Sequence, residues 1–401
     1  MVCFCSFRYD PNVLRNRLWW LCAIIVFTVG FGLSSPAAEI EVAPVKGGQF
    51  VGVSGCKSSS CHGGAGEKRN QYLTWLQKDF HTRSYAILTD ARSARIAETL
   101  RLPAAQESGR CTVCHSPFQF VASARLGPQA HPDEGVSCEN CHGAAEPWLR
   151  GHTRKDWTYA TRVAAGMRDL RNSYVRANTC VACHQNLESD ILSAGHPELM
   201  FELDGQSVAE PEHWRDDNPA SAVRAWLVGQ AVALREVSWA LSKDKHPGAD
   251  AVARWNGLAW LLAKATGHQT RLPVIEAPNE LTGDESFASW QMQGDSLARR
   301  ASNAPLDDDF ARGLLQTIAA ADSDFASWKS SSREIAFRRA ERVVLALDRL
   351  SDAIAHQPTR EVNNPALVRL FEDVRIRSDF EGVRFARDLA NFHATLRQPK
   401  S

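Results

Sequence analysis

The sequence predicts a mainly α-helical protein with little regular strand, and two observations carry that expectation. After about residue 205 apolar side chains recur at helical spacing, and between Cys56 and His184 a cysteine pair with an adjacent histidine occurs four times. With 401 residues, 44% of them hydrophobic and including 12 Trp and 17 Phe, the chain has core material for more than one domain. Basic and acidic residues balance at 46 each, so nothing in the charge points to nucleic acid as a partner.

Residues 1–38 read as a targeting segment. Arg8, Arg15 and Arg17 precede an apolar run from Leu18 to Leu33, and Ser-Ser-Pro-Ala-Ala then leads to Glu39. This is the layout of a secretory signal, with cleavage after Ala37 or Ala38. An uncleaved membrane anchor is the competing reading, but 16 residues that include Gly30 and Gly32 fall short of the roughly 20 that a spanning helix needs. An exported, periplasmic protein is expected, associated with a membrane only if this segment is retained. Cleavage removes Cys3, Cys5 and Cys22 and leaves eight cysteines, with 43 basic and 45 acidic residues for a net charge of −2.

Residues 39–204 hold all eight of those cysteines. They fall in CKSSSCH (Cys56, Cys61, His62), CTVCH (Cys111, Cys114, His115), CENCH (Cys138, Cys141, His142) and CVACH (Cys180, Cys183, His184). Four disulfides would suit an oxidising compartment, and zinc knuckles would use paired cysteines, yet neither needs a histidine after every pair. Covalent haem attachment does. Two thiols add across the two vinyl groups of one porphyrin, and the next residue places its imidazole on the iron. The first site has four residues between its thiols, and Lys57 to Ser60 are small or flexible enough to loop out. Four covalently bound c-type haems are therefore expected.

Each iron then needs a second axial ligand unless it is kept open for a substrate. The histidines left between residues 50 and 200 are His81, His131, His152 and His196, matching the haems in number. Leu73, Leu76, Phe80 and Ile87 repeat at roughly helical spacing, which predicts that His81 projects from a helix. His131, His152 and His196 are flanked by Gly or Pro and read as loop or helix-start positions. Met167, Met200 and Met292 are too few for four irons and read as packing residues. Bis-histidine ligation implies low reduction potentials. Four porphyrins in so short a segment must form much of its core themselves. Arg150, Arg154, Lys155, Arg162, Arg168, Arg171 and Arg176 make the chain locally basic. Pairing with haem propionates is the first role for them, ahead of docking an acidic partner or forming a solvated helix face.

Over residues 50–200 the chain resembles the exported tetrahaem cytochromes of the cytochrome c-554 type, linked to nitrogen-cycle electron transfer. The resemblance rests on Trp75 and His81, the attachment motifs, GVSCENCHG at 135–143 followed by His152, and CVACH followed by GHPEL at 195–199. It implies haems stacked in pairs and mostly bis-histidine, with one iron that can be five-coordinate. This sequence departs from that pattern in its longer first site and in having enough spare histidines for all four irons.

Residues 205–401 read as an α-helical domain. Asn218 and Pro219 open a helix with Val223, Leu227, Ala231, Leu234 and Leu241 on one face. Ala336, Ala340, Val343, Leu347, Leu350 and Ile354 form a second stripe, and Gly267 marks the stop of a helix containing Trp255, Trp260 and Leu262. Of the histidines here, His213 is close enough to the cysteine motifs to be a reserve ligand. The combined expectation is a carrier of single electrons between redox proteins, its helical domain offering a cover, a docking face or an oligomer surface. The alternatives are an oxidoreductase with one open iron acting on a small nitrogen or oxygen species, and a haem-bearing subunit built to assemble a larger complex.

Overall fold

A computed structural model describes residues 47–213, 221–267, 271–276, 278, 287–326, 333–355 and 364–397. The targeting segment 1–38, Asn218, Pro219, His268 and His356 lie outside the described residues. Among the described residues the fold is mainly α-helical and no strand forms, apart from a single bridge between Phe50 and Leu126.

The first part, to about residue 200, consists of short helices joined by 3-10 turns: α1 (Gln71–Lys78), α2 (Ser84–Ile87), α3 (Ala91–Thr99), α4 (Gly109–His115), α5 (Cys138–His142), α6 (Tyr159–Ala164), α7 (Ser173–His184) and α8 (Ser189–Ser193). Local side-chain caps start several of them. Asp90 accepts the Ser93 N–H at 2.7 Å at the head of α3, and Asn172 accepts the N–H groups of Tyr174 and Val175 at the head of α7. Isolated helices of this length are marginal in water. Their own apolar core is correspondingly thin, a cluster of Leu88, Ala97 and Ala105 with Tyr85, Leu102 and Cys111 packed against it.

Beyond residue 200 the helices lengthen: α9 (Leu203–Ala209), α10 (Ser221–Lys243), α11 (Ala249–Thr266), α12 (Phe287–Asn303), α13 (Asp308–Ala319), α14 (Ser323–Ala326), α15 (Arg333–Ala355), α16 (Pro365–Val374) and α17 (Gly382–Leu396). Both expected stripes face the core. Val223, Leu227, Ala231, Leu234 and Leu241 of α10 are buried, as are Ala336, Ala340, Val343, Leu347 and Leu350 of α15. The helix bearing Trp255 and Trp260 ends at Thr266 with Gly267 as its cap residue. Two glycines let helices cross closely. A Cβ on Gly257 would fall 2.7 Å from the Arg338 carbonyl of α15, and one on Gly294 of α12 would fall 2.8 Å from the Ala231 carbonyl of α10.

The described residues belong to one compact unit, and α7 is the element that ties its parts together. It carries the fourth cysteine pair and packs against α10. Tyr174 of α7 donates to Asp295 of α12 at 2.6 Å, and Arg235 of α10 donates to Asp295 at 2.9 Å and to Asn178 of α7 at 2.5 Å. α9 runs across the expected boundary at residue 204 and also packs on α10.

Candidate haem sites

Three of the four attachment motifs lie on helices. Cys111 and Cys114 with His115 end α4, Cys138 to His142 is α5, and Cys180, Cys183 and His184 close α7. A helical turn brings two thiols spaced by two residues, and the histidine after them, onto one side. The first motif reaches a similar end by a turn. The Cys61 N–H bonds the Ser58 carbonyl at 2.9 Å and the His62 N–H bonds the Cys56 carbonyl at 3.2 Å, so the extra residues loop out and His62 returns beside Cys56.

The thiols also meet across motifs. Cys56 lies beside Cys138, and Cys114 lies beside Cys183. The first site thus adjoins the third, and the second adjoins the fourth. Burial pushes the Cys141 thiol up to about 12 and Cys180 up to about 11, surroundings that favour an uncharged sulfur.

Every motif histidine faces one further imidazole. Ring centres are 6.0 Å apart for His62 with His152, 6.4 Å for His115 with His196, 6.4 Å for His142 with His213, and 6.0 Å for His184 with His81. An imidazole nitrogen sits about 2 Å from a bound first-row metal ion. With roughly 1 Å more from each nitrogen to its ring centre, two imidazoles on opposite sides of one ion stand about 6 Å apart. The four pairs match that spacing, so the residues present fit iron between them. Burial pushes His142 down to about 4, keeping its ring neutral and its lone pair free for a metal.

Three of the four expected distal residues, His81, His152 and His196, are in these pairs. His131 is exposed and caps the 3-10 turn Pro132–Glu134, its backbone N–H bonded to Glu134. His213 stands opposite His142 instead. Sequence offered one signal for it, its nearness to the cysteine motifs, and the Pro residues around His131 mark the turn that takes that ring away. His81 does not project from a continuous helix. α1 stops at Lys78, Asp79 is extended, and its side chain caps a new 3-10 turn, Phe80–Arg83, by accepting the His81 N–H at 2.9 Å. Leu76, Phe80 and Ile87, whose spacing suggested that helix, are 44%, 73% and 45% exposed. Together with Val113 and Phe120 they provide apolar surface suited to a porphyrin.

The Nδ1 atoms away from the paired faces are held as well. His62 bonds Gln71 Oε1 at 2.9 Å, His115 the Ser84 carbonyl at 3.0 Å, His196 the Pro197 carbonyl at 2.8 Å and His81 the Asp79 carboxylate at 3.0 Å. Such bonds fix which nitrogen is left to bind a metal.

Polar atoms support the same fit. The side-chain nitrogens Arg162 Nε, Arg176 Nε, Arg125 Nε and Trp148 Nε1 are buried without a protein partner, and the Trp148 ring lies 5.5 Å from that of His152. Buried donors need acceptors, and haem propionates would supply them. Other members of the basic set are engaged by protein. Arg168 donates to the carbonyls of Asn140 and Cys141 at 2.5 and 3.0 Å, clamping the end of α5, and Arg154 pairs with Asp156. Sequence reasoning missed Glu139, the residue inside CENCH. Its buried carboxylate accepts the N–H groups of Val51, Gly52 and Ala145 at 3.0, 2.8 and 2.7 Å, fastening the third motif to the chain before the first.

Residues 56–143 match the family described as cytochrome c554 and c-prime. That span contains the first three motifs and supports a c-type cytochrome with covalently bound haem and a role in electron transfer. No curated protein and no solved structure matches the chain. The c-type cytochrome character thus rests on the haem-bearing part, and α10 to α17 lie beyond the match.

Proposed function

We propose that the protein is an exported, periplasmic tetrahaem c-type cytochrome that relays single electrons between redox proteins. The observation that carries this reading is the set of four imidazole pairs, each made of one attachment-motif histidine and one histidine from elsewhere in the chain. Cys56 with Cys61, Cys111 with Cys114, Cys138 with Cys141 and Cys180 with Cys183 are the anchors. His62, His115, His142 and His184 are the proximal ligands, and His152, His196, His213 and His81 are their respective distal ligands.

Bound haem supplies the one-electron iron couple. The chain's part would be to hold each haem iron between two imidazoles, leaving none open to a substrate, and to keep the sites close together. The Cys56–Cys138 and Cys114–Cys183 contacts join the sites in pairs. Asp79 and Glu210 lie beside the His81 ring of the fourth site.

The test is electron paramagnetic resonance of the oxidised, purified protein, quantified against total haem, with the intact mass giving the haem count. Four haems, all low-spin, are expected. One high-spin iron in four that binds cyanide or nitric oxide rapidly would sink the carrier reading in favour of an oxidoreductase acting on a small nitrogen or oxygen species. His213→Ala is expected to create one high-spin iron, and His131→Ala none.

A further inference from the structure

Six of the paired imidazoles have an acceptor at Nδ1, and one acceptor differs in kind. Those of His62, His115, His152, His196 and His213 are a neutral side-chain amide or backbone carbonyls, on Gln71, Ser84, Leu149, Pro197 and Pro211 respectively. Of these six bonds, that of His81 goes to a carboxylate, Asp79 Oδ1, at 3.0 Å. The same oxygen receives the His81 backbone N–H at 2.9 Å, and Asp79 is only 6% exposed, so the pair is fixed in geometry and shielded from water.

We propose that Asp79, acting through His81, makes the iron bound at the fourth attachment site the hardest of the four to reduce. The proposal rests on the assignment of His81 as distal ligand to that iron. An imidazole whose Nδ1 proton is shared with a carboxylate becomes a stronger electron donor at Nε2, which favours ferric over ferrous iron. The negative charge, held in a medium of low dielectric, acts in the same direction. One electron is gained from a reduced protein partner, no bond forms or breaks, and the proton stays between His81 and Asp79. Glu210 comes within 4.8 Å of both residues and adds charge. It is therefore the control that separates the field of a nearby carboxylate from the hydrogen bond itself.

Asp79 is a positioning residue, and its test is a potential rather than a rate. The purified holoprotein and its Asp79→Asn, Asp79→Glu, Glu210→Gln and His81→Ala variants are titrated reductively, with each iron followed by paramagnetic resonance and visible absorption. His81→Ala turns one ferric signal high-spin and so identifies the iron concerned. If it does not, the ligand assignment itself falls. With that signal identified, it is expected to be the last of the four to be reduced in the unaltered protein. In Asp79→Asn its reduction equilibrium moves toward the ferrous form by about tenfold, or about 59 mV for a one-electron couple, with smaller movement at the other three. Glu210→Gln shifts it by less than half as much. An unmoved equilibrium in Asp79→Asn overturns the proposal, as does a shift spread evenly over four irons or an equal shift in Glu210→Gln. Should Asp79→Asn fail to take up haem, Asp79→Glu decides. It keeps the charge but displaces the oxygen, so a smaller movement in the same direction supports the proposal and none overturns it.

Discussion

Residues 47–200 and residues 221–396 solve the problem of an interior in opposite ways. The later region builds one continuous apolar core, with Trp226, Trp255, Phe325, Phe385 and Phe392 fully buried and α10 at its centre. The earlier region has short helices and a small apolar cluster, while Phe80 and Phe120 stay exposed and imidazoles face each other in pairs. A protein segment that buries Phe118 and Trp148 but leaves Leu76, Phe80 and Phe120 outside while setting imidazoles face to face inside is organised around more than its own side chains. Apolar burial of roughly 25 cal/mol per Å² can hold the later region together. In the earlier one hydrogen bonds such as those to Glu139 take a larger share, and attached haem would supply the rest.

The largest expected effect comes from denying the protein its haem, by producing it without the attachment machinery. Hydrogen exchange is expected to show amides of α1 to α5 unprotected while those of α10, α11 and α15 remain slow. Uniform protection along the chain would break the contrast between the two regions. Next in size is Trp255→Ala. This side chain is fully buried, packs at 5.1 Å from Trp290 and donates to Ser238 at 3.0 Å. Its loss is expected to cost about 3–5 kcal/mol, read as a fall in the denaturation midpoint followed by circular dichroism, with haem absorbance following only as far as α7 is released.

Glu139→Gln probes the earlier region. It keeps the shape but replaces a carboxylate that receives three backbone N–H groups, and a cost of about 1–3 kcal/mol should appear in the stability of the haem-bearing part alone. The smallest effect concerns the joint between regions. Burial works against the charge on Asp295, but hydrogen bonds from Tyr174, Arg299 and Arg235 outweigh it and hold the carboxyl at about 2 against an ordinary 3.8. A depressed folded value means that the stabilisation is full above about pH 4 and is lost as pH falls toward 2. Asp295→Asn should therefore lower stability at neutral pH by about 1 kcal/mol, a figure discounted for solvent screening, with the difference closing in acid.

The two regions also differed in how much of them sequence could reveal. Helical stripes and cysteine pairs are local patterns, so α10, α11, α15 and all four attachment motifs were legible from residue spacing. The partners of the motif histidines were legible only as a pool of histidines, because what unites His62 with His152 or His142 with His213 is chain geometry across long intervals. Counting alone put His131 in that pool. The spare histidines before residue 200 match the cysteine motifs in number, yet local turn chemistry takes that ring to the surface and His213 stands opposite His142. Asp79 ended the helix that apolar spacing had predicted, because its side chain could cap a new turn. Glu139 gave no signal of its own, since a carboxylate between two cysteines looks like any solvated residue until its three backbone partners arrive from elsewhere.

That separation between near and far partners bears on how the chain matures. A cysteine pair and its adjacent histidine are complete as soon as a few residues have emerged, whereas His62 must wait for His152, and His81 for His184, before its ring has an opposite number. A chain delivered N-terminus first therefore meets the demands of covalent attachment and of full ligation at different moments. On the proposed haem assignment the attachment sites would be independent local reactions, and the ligand set would close only as the whole molecule folds.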